Sequence, residues 1–253
     1  MKISGGIVTY NNADTIEACI ASVLLHTKDC DFTLYVADNN SADGTADLIK
    51  EKFPQVRVLS LAENKGFGAG HNRILREVRS DYHVVINPDI QLKENTILTL
   101  ASYLEADTDH TIGQITPRVL NTDDTEQFLP KYCPSIRYCY VSKLPGFHYL
   151  RDRYTRKAES FDEPTEIEFC TGCFFMARTA FLKKLGGFNK QFFLYCEDSD
   201  LSKRVMEQGK KIIFYPHCSV YHDWHRANTR SLRGILQFTK SLLVYFKRWG
   251  FHW

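Results

Sequence analysis

The chain has 253 residues, of which 43% are hydrophobic and 25% are charged, and its formal net charge is +2. These values are typical of a folded globular protein, and they exclude a disordered chain, a collagen-like repeat or a coiled coil as a description of the whole. Because 32 Lys and Arg are nearly balanced by 30 Asp and Glu, the overall charge gives no case for nucleic-acid binding.

The apolar runs of the chain are short. None reaches about 18 uninterrupted residues, so we expect no membrane-spanning helix. Residues 1–8 carry one basic residue and a short apolar run, which is typical of a first strand rather than of a secretory signal. We therefore expect a cytosolic protein whose 8 Cys are reduced thiols.

Strand-like and helix-like segments alternate through the N-terminal half. Apolar residues at helical spacing, such as Ile16, Ile20 and Val23, predict a helix after a cap at Asp14. The predicted strands are 3–10, 32–37, 56–61 and 82–86, and helices are predicted from 14, from 46, from 71 to 79, and from 92 to 104. Repeated strand–helix units predict a mostly parallel sheet with helices on both faces.

Regular signals weaken after Pro117 and return near residue 166. The segment 121–164 is polar, aromatic and rich in basic residues, so we predict loops over the sheet with room for a short helix. Within it, the basic aromatic stretch 131–156 contains no RNA-binding motif, and we interpret it as an acceptor loop. Further on we predict strands at 166–177 and 211–215 and helices at 179–185 and 198–208.

Polar side chains follow each of the four strands predicted in the N-terminal half. In an open parallel sheet, ligands bind beyond the carboxyl ends of the strands. Turn chemistry alone explains any one of these clusters, but four in consecutive units favour a ligand site. The candidate residues are Thr9 and Asn11, then Asp38 and Asn40, then Asn64, Lys65, Gly66, Gly70 and Asn72, and finally Asn87 and Asp89.

The residue types in these clusters favour a nucleotide diphosphate. The carboxylate of Asp38 can accept from a base N–H, glycines such as Gly66 allow close backbone approach, and Lys65 supplies positive charge. The 66–70 stretch is neither a Walker loop nor a dinucleotide-binding G-x-G-x-x-G, which disfavours a kinase or a dehydrogenase. Asp89, after a buried strand and a Pro, can hold Mg²⁺ or Mn²⁺ together with substrate phosphates.

A cluster of carboxylates begins the predicted helix at 198. Glu197, Asp198 and Asp200 follow an aromatic run. One carboxylate would satisfy helix capping, and three favour a site. His222 follows the last strand, and it joins Asp89 on a metal only if the fold brings the two together.

Zinc and redox chemistry are weaker interpretations of the cysteines and histidines. Cys170 and Cys173 form a lone CxxC, without the second pair or the thioredoxin-like context that such chemistry needs. We interpret the two cysteines instead as small residues of a strand that lies beside the site. The histidines of 217–225 with Cys218 offer only an equally weak zinc cluster.

In its ordered set of motifs, the chain resembles the inverting glycosyltransferases of the GT-A fold, family 2, particularly bacterial rhamnosyltransferase-like members. Each motif is modest by itself, but the set runs in family order across roughly residues 3 to 222. The matching stretches are 7–11, 36–44, 64–72, 87–89, 171–174 with 186–188, and 197–201.

The resemblance implies roles for the matched positions. Asp89 matches the last acid of the metal motif, in which Asn87 replaces the first acid as a weaker ligand, and His222 matches a position that completes the metal site. Asp198 matches the general base. This base takes a proton from the acceptor hydroxyl while the hydroxyl oxygen attacks the anomeric carbon, and the attack inverts that carbon. The implied donor-binding residues are Thr9, Asn11, Asp38, Asn40, Asn64, Lys65, Gly66, Gly70, Asn72, Asn87 and Glu197, with Gly172 and Cys173 at the floor of the acceptor side.

The C-terminal tail has no acidic residue after Asp223. A helical wheel places Leu236, Leu242, Leu243 and Phe246 on one half and Lys240 with the other cations opposite. A basic amphipathic helix is typical of a membrane-surface element, and the alternative is a helix docked on the domain or on a second copy.

Together these expectations describe a GT-A domain over 1–222, with a nucleotide-sugar half at 1–117 and an acceptor and catalytic half at 118–222, followed by a helical extension at 223–253. The expected reaction is transfer of rhamnose from dTDP-rhamnose to a polyprenyl-linked or growing surface glycan at the inner face of the membrane. The alternatives are a UDP-sugar donor carrying galactose, glucose or N-acetylglucosamine, and an inactive nucleotide- or glycan-binding paralogue. A nucleotidylyltransferase is disfavoured because residues 4–14 lack an Arg/Lys-rich phosphate loop.

Overall fold

The computed structural model describes residues 1–223 and 232–251, with side chains in the second range from 234 onward. His225, a member of the possible zinc cluster, lies outside this range, as do the first residues of the predicted tail. No helix in the described ranges is long and apolar enough to cross a membrane.

One mixed sheet organises the chain. Its strands are β1 (Lys2–Thr9), β2 (Asp31–Asp38), β3 (Arg57–Ser60), β4 (Tyr82–Ile86), β5 (Ile90–Gln91), β6 (Ile112–Leu120), β7 (Thr165–Glu166), β8 (Phe174–Arg178) and β9 (Lys211–His222). The strand order is β3-β2-β1-β4-β8-β6-β9-β5, and β7 pairs with β9. The pairs within β3-β2-β1-β4 are parallel, whereas β8 is antiparallel to both β4 and β6.

Helices cover both faces of the sheet. They are α1 (Ile16–Leu25), α2 (Thr45–Lys52), α3 (Phe67–Glu77), α4 (Thr96–Ala106), α5 (Ile136–Cys139), α6 (Tyr149–Tyr154), α7 (Thr179–Lys184), α8 (Glu197–Glu207) and α9 (Leu232–Trp249), with a 3₁₀ turn at Val141–Lys143. Because successive strand residues point to opposite faces, Ile7 packs with α1 and α4, whereas Val8 packs with α3. The predicted α/β class is confirmed by this arrangement.

The second half differs from the predicted elements in three places. β6 was not predicted, and its residues are buried except near its end. The predicted strand 166–177 is two strands separated by 167–173, and β9 continues well beyond residue 215. β9 keeps its partners past an irregularity near Pro117, so a local apolar pattern could not show its length.

The C-terminal helix docks on the domain. Leu242, Tyr245 and Phe246 are buried against Phe192 and Cys196. The indole Nε1 of Trp249 donates to Oδ1 of the buried Asp200, at 3.0 Å. Leu236 and Leu243, which the helical wheel placed on the apolar half, are instead 62% and 55% exposed, because they lie four and three residues from the exposed Lys240 and share its side of the helix.

Candidate functional site

The carboxyl ends of β1 and β2 meet at one edge of the sheet. Thr9 and Asp38 are partners in the parallel register, and both are buried. Oδ2 of Asp38 accepts from the backbone N–H of Ser41 at 3.1 Å, whereas its Oδ1 is buried with no hydrogen-bond partner among the described residues. A buried carboxylate oxygen without a donor is costly, so Asp38 is suited to accept from a ligand.

Asn11 joins the two loops of this edge. It adopts a left-handed backbone with φ of 55°. Its N–H donates to Oγ of Ser41, and its Oδ1 accepts from the N–H of Ala42, both at 2.8 Å. Asn40 also has a positive φ, of 64°, and is exposed at the same edge. These two residues shape the rim of the predicted nucleotide site.

The Gly66 loop contacts the segment that precedes α8. Gly66 has a φ of +91°, and a Cβ there would lie 2.0 Å from the carbonyl oxygen of Phe193. The N–H of Phe67 donates to that same oxygen at 3.1 Å, and Asn64 Oδ1 accepts from Gly66 N–H at 2.9 Å. Gly66 therefore permits a backbone contact between the predicted donor loop and the carboxylate cluster.

Three other predicted donor-loop residues are engaged elsewhere. Asn72 donates to the carbonyl of Phe188 at 2.7 Å and accepts from its N–H at 2.8 Å. Gly70 packs against Val8, and Lys65 forms an exposed ion pair with Glu63. These contacts show packing and surface roles, and direct donor contact by the three residues stays a prediction.

Asp89 and His222 lie together although they are distant in sequence. Pairing of β5 with β9 sets Ile90 opposite His222, and Nε2 of His222 lies 3.3 Å from Oδ1 of Asp89. Nδ1 of His222 faces Oε1 of Gln127 at 3.1 Å. Gln127 also donates its amide N–H groups to the His222 carbonyl and to Asn121, so its oxygen accepts from Nδ1–H. That arrangement leaves Nε2 directed toward Asp89.

These donor atoms fit a divalent cation. Oδ1 of Asp89 is buried, and its contact among the described residues is the 3.3 Å approach to Nε2 of His222. Carboxylate oxygen and imidazole nitrogen both suit Mn²⁺, and substrate phosphates and water complete such a site. No group of three or more His, Cys, Asp or Glu in residues 1–223 and 232–251 could hold a metal, so a metal ligand set made of Asp89 and His222 stays a prediction.

The charge of His222 depends on its neighbours. Burial opposes protonation, but Cys173 and Asp89 outweigh it and raise the pKa of His222 to about 10. The raised pKa favours the protonated imidazole when no metal is bound, and a metal ion would then have to displace the Nε2 proton.

Asp198 lies at the start of α8 with its carboxylate fixed by backbone donors. Oδ2 accepts from Gly172 N–H at 3.2 Å, and Oδ1 accepts from Ser199 N–H at 2.7 Å. Burial raises the pKa of Asp198, against these hydrogen bonds and the positive charge of Lys131. A carboxylate with a raised pKa is a better proton acceptor than an exposed one.

Glu197 differs from its neighbour. It is buried, and its Oε2 has no hydrogen-bond partner among the described residues. Burial, followed by the charge of Asp198, raises the pKa of Glu197. Because two adjacent carboxylates at a buried helix start cannot both ionise cheaply, Glu197 and Asp198 titrate as a coupled pair, in which the backbone donors to Asp198 favour its ionised form.

The turn before α8 is strained. Tyr195 and Cys196 have φ of 72° and 64°, which costs a non-glycine residue about 1–2 kcal/mol. Such strain persists where surrounding structure holds it, commonly at functional sites. Here the turn directs Glu197 and Asp198 inward.

The Gly172–Cys173 segment connects the base with the metal pair. Gly172 donates to Asp198, while the carbonyl of Cys173 accepts from Asn87 N–H at 2.8 Å. Cys173 is also a neighbour of His222. The structure thus brings the predicted residues Asp198, Gly172, Cys173, Asn87, Asp89 and His222 into one region.

Two residues of this region, Gln127 and Lys131, were not assigned a role from the sequence, and a third, Asp200, was named only within the acidic helix start. Gln127 orients His222, Lys131 faces Asp198, and Asp200 holds Arg204 and the end of α9. Gln127 and Lys131 lie in the irregular middle segment and carry no motif. For Asp200, its position three residues into an acidic helix start suggested capping only.

Comparisons with known proteins agree with this geometry. The model of the family described as glycosyl transferase family 2 matches residues 4–186, and that described as the N-terminal domain of galactosyltransferase matches residues 152–228. The chain is 26% identical over 236 residues to the N-acetylglucosaminyl-diphospho-decaprenol L-rhamnosyltransferase of Mycobacterium tuberculosis, covering 88% of this chain and 75% of that protein. It is 23% identical over 231 residues to rhamnosyltransferase WbbL of Escherichia coli, covering 88% and 83%.

Solved structures share the fold at lower identity. The mannosyltransferase PcManGT from Pyrobaculum calidifontis, in complex with GDP-Man and Mn²⁺, has a TM-score of 0.63 at 18% identity, covering 97% of this chain and 64% of its own. GalNAc-T7 with UDP, GalNAc and Mn²⁺ has a TM-score of 0.67 at 17% identity, covering 96% and 48%. The chain thus spans about half to two thirds of these structures. On the match over most of its length, the chain belongs to glycosyl transferase family 2 and is a glycosyltransferase of the GT-A fold.

Proposed function

We propose that this chain transfers a sugar from a nucleotide donor to an acceptor hydroxyl, with inversion at the anomeric carbon. One observation carries the proposal. The Gly172–Cys173 segment holds Asp198 on one side and contacts Asn87 and His222 on the other. A base for the acceptor and a site for the donor diphosphate therefore lie against the same two residues.

Asp198 accepts the proton of the acceptor hydroxyl while the hydroxyl oxygen attacks the anomeric carbon. The N–H groups of Gly172 and Ser199 orient its carboxylate for that transfer. Asp38 offers Oδ1 to an N–H of the nucleotide base. A divalent cation bound by Asp89 and His222 would supply positive charge against the departing diphosphate.

We favour dTDP-rhamnose as the donor and a lipid-linked sugar as the acceptor, with Mn²⁺ or Mg²⁺ as the cation. The support is the similarity, over 88% of this chain, to two proteins named as rhamnosyltransferases, one of them named for a diphospho-decaprenol acceptor. The Mn²⁺ complexes of the similar structures support the metal.

A lipid-linked acceptor favours a position at the inner face of the cell membrane. The outer side of α9 supports this, because it combines exposed apolar residues with cations. These are Ile235, Leu236 and Leu243 with Lys240 and Lys247. A second copy of the chain packed on the same side is the alternative.

Thermal shift with dTDP, UDP and GDP, each with and without Mn²⁺, tests the donor, because a ligand that binds the folded state raises the melting temperature. We expect a metal-dependent rise with dTDP, and then transfer from dTDP-rhamnose to a diphospholipid-linked N-acetylglucosamine. A rise in melting temperature with UDP alone would indicate a UDP-sugar donor and would still support a glycosyltransferase. Nucleotide binding without transfer from any sugar would indicate a binding paralogue.

A further inference from the structure

A large cavity lies between the irregular middle segment and the reaction centre. It has a volume of about 960 Å³, and its walls come mainly from residues 121–131 and 138–157. Two lining residues connect it to the site. Gln127 hydrogen-bonds His222, and the positive charge of Lys131 acts on Asp198. The cavity is therefore adjacent to both the metal pair and the base.

The cavity has an excess of positive charge. Lys143, Arg151 and Lys157 line it, and none of the three forms an ion pair with a carboxylate in residues 1–223 and 232–251. Of the two lining carboxylates, Glu126 is ion-paired with Arg118, which leaves Asp152. Uncompensated cations around a concave site favour an anionic ligand.

The inner wall is ordered by aromatic packing. The rings of Tyr138 and Tyr154 stack with centroids 4.9 Å apart and an interplanar angle of 27°. Ser142 donates to the carbonyl of Tyr138 at 2.6 Å, which holds the 3₁₀ turn that carries Lys143. The cations are thus presented from a packed wall rather than from an unsupported loop.

The same segment also carries large apolar side chains that are exposed. Tyr140, Leu144, Phe147 and Tyr149 are 41% to 61% exposed. Large apolar side chains exposed next to a basic cavity suit a ligand that has an anionic part and a hydrocarbon part. A nucleotide sugar has no hydrocarbon chain, and its predicted edge lies at Thr9 and Asp38.

We infer that this cavity binds the diphosphate of a lipid-linked acceptor, with Arg151, Lys157 and Lys143 as its cationic contacts and the exposed residues of 140–149 against the lipid. The inference rests on the proposed function, because it assigns the acceptor of that reaction. It assigns the lipid anchor to the 140–149 segment, whereas the nucleotide is predicted at the edge formed by Thr9 and Asp38.

Calorimetric titration of farnesyl diphosphate tests the inference, with inorganic pyrophosphate and farnesol as comparison ligands. The test variant is the double substitution Arg151→Gln with Lys157→Gln. Arg153→Gln, on the same short helix but outside the cavity lining, is the matched control. Each protein is also titrated with dTDP and UDP in the presence of Mn²⁺, and its melting temperature is measured to confirm folding.

We expect farnesyl diphosphate to bind the wild type and to bind the double variant about tenfold or more weakly, as loss of charge-assisted contacts predicts. Arg153→Gln and all nucleotide affinities should change less than about twofold. Pyrophosphate binding as tightly as farnesyl diphosphate would overturn the lipid part of the inference. The whole inference would be overturned if farnesyl diphosphate did not bind the wild type, or if it bound the double variant as tightly as the wild type.

The two proposals fail in different ways. If no nucleotide binds any of the proteins, the proposed function fails, whatever farnesyl diphosphate does. If nucleotide binds normally and farnesyl diphosphate is insensitive to the double substitution, the acceptor assignment fails alone.

Discussion

Asp198 combines burial with fixed orientation. Two backbone N–H groups hold its carboxylate oxygens, and burial raises its pKa, which are properties that the proposed proton acceptor needs. Neighbouring Glu197 also has a raised pKa and shares the same helix start. These two acidic residues illustrate how the environment separates the roles of similar side chains.

Replacing Asp198 with Asn keeps the shape and removes the proton acceptor. We expect Asp198→Asn to lower kcat by about 10²–10⁴-fold, the usual contribution of a general base, with nucleotide affinity nearly unchanged. Steady-state kinetics and calorimetry measure the two quantities. Glu207→Gln, at the exposed end of the same helix, is the control. Retained turnover in Asp198→Asn would contradict the assignment.

Gln127 orients His222 without occupying the metal position. Its oxygen accepts from Nδ1–H of His222, which leaves Nε2 for the metal. We expect Gln127→Leu to weaken Mn²⁺ binding by about 10–100-fold, as loss of an outer-shell partner does. Electron paramagnetic resonance of free Mn²⁺ measures this without turnover. Gln127→Glu keeps the acceptor and should bind Mn²⁺ more tightly than Gln127→Leu. Equal Mn²⁺ affinity in the wild type and Gln127→Leu would refute a positioning role.

At the scale of elements, the donor loop and the turn before α8 depend on each other. Gly66 permits the close approach, and the backbone of Phe193 occupies the space of a Cβ. The strained residues Tyr195 and Cys196 then direct α8 toward the site. Segments from both halves of the chain thus meet at the contact between Gly66 and Phe193.

Gly66 and Gly44 make a matched pair for testing that contact. Both have positive φ, but a Cβ at Gly44 meets nothing within 4 Å. We expect Gly44→Ala to lower the free energy of unfolding by about 1–2 kcal/mol, the left-handed backbone cost alone. Gly66→Ala should lower it further and weaken nucleotide binding, because the two loops must separate. Urea unfolding and calorimetry measure both effects, and equal losses in the two variants would argue against the contact.

At the scale of the whole molecule, the core contains two uncharged histidines. Burial and the nearby His83 hold the pKa of His71 well below its usual range, and burial with the charge of Lys183 lowers the pKa of His83 to about 3. Both must be neutral in the folded protein. Their lowered pKa values make stability depend on pH.

The contribution of these two neutral histidines to the free energy of unfolding is fully present above pH 6.5 and is lost as the pH falls below it. Below pH 6.5 the histidines of the unfolded chain bind protons, whereas those of the folded chain stay neutral. The loss is about 1.4 kcal/mol per pH unit per histidine. His222, with its raised pKa, changes its contribution only above pH 6.5. Urea unfolding from pH 6.5 to 5 should show a smaller slope for His71→Phe than for the wild type, and identical slopes would contradict the prediction.

The docked helix α9 also presents an outer side to solvent. Leu236 and Leu243 are exposed there beside Lys240 and Lys247. We expect Leu236→Asp with Leu243→Asp to reduce flotation with anionic liposomes, and high salt to reduce flotation of the wild type. Glu207→Gln, remote from α9's outer side, should float like the wild type. Unchanged flotation of the double variant would contradict membrane binding by this side of α9. Dimerisation through this side would then be the alternative, and analytical sedimentation would detect it.

Sequence patterns were sufficient for the first half of the fold. Strands β1, β2 and β4 are short apolar runs bounded by turn residues, and each is followed by polar residues that the parallel register brings to one edge. Strand β6 was missed because its residues do not alternate clearly between apolar and polar. It forms by pairing with the distant strands β8 and β9. Local patterns report local structure, so they failed where pairing was distant.

By itself, the sequence determined the fold class and the family, and it predicted a nucleotide edge and a candidate base, because short-range patterns and ordered motifs carry that information. The tertiary structure alone decided which distant side chains meet. Gln127 and His222 are 95 residues apart, and Trp249 and Asp200 are 49 apart. It also decided that α9 docks through Leu242 and leaves Leu236 exposed. Such contacts form when β pairing and core burial bring distant parts of the chain together. The spacing of residues within one segment does not show which distant residues will then meet.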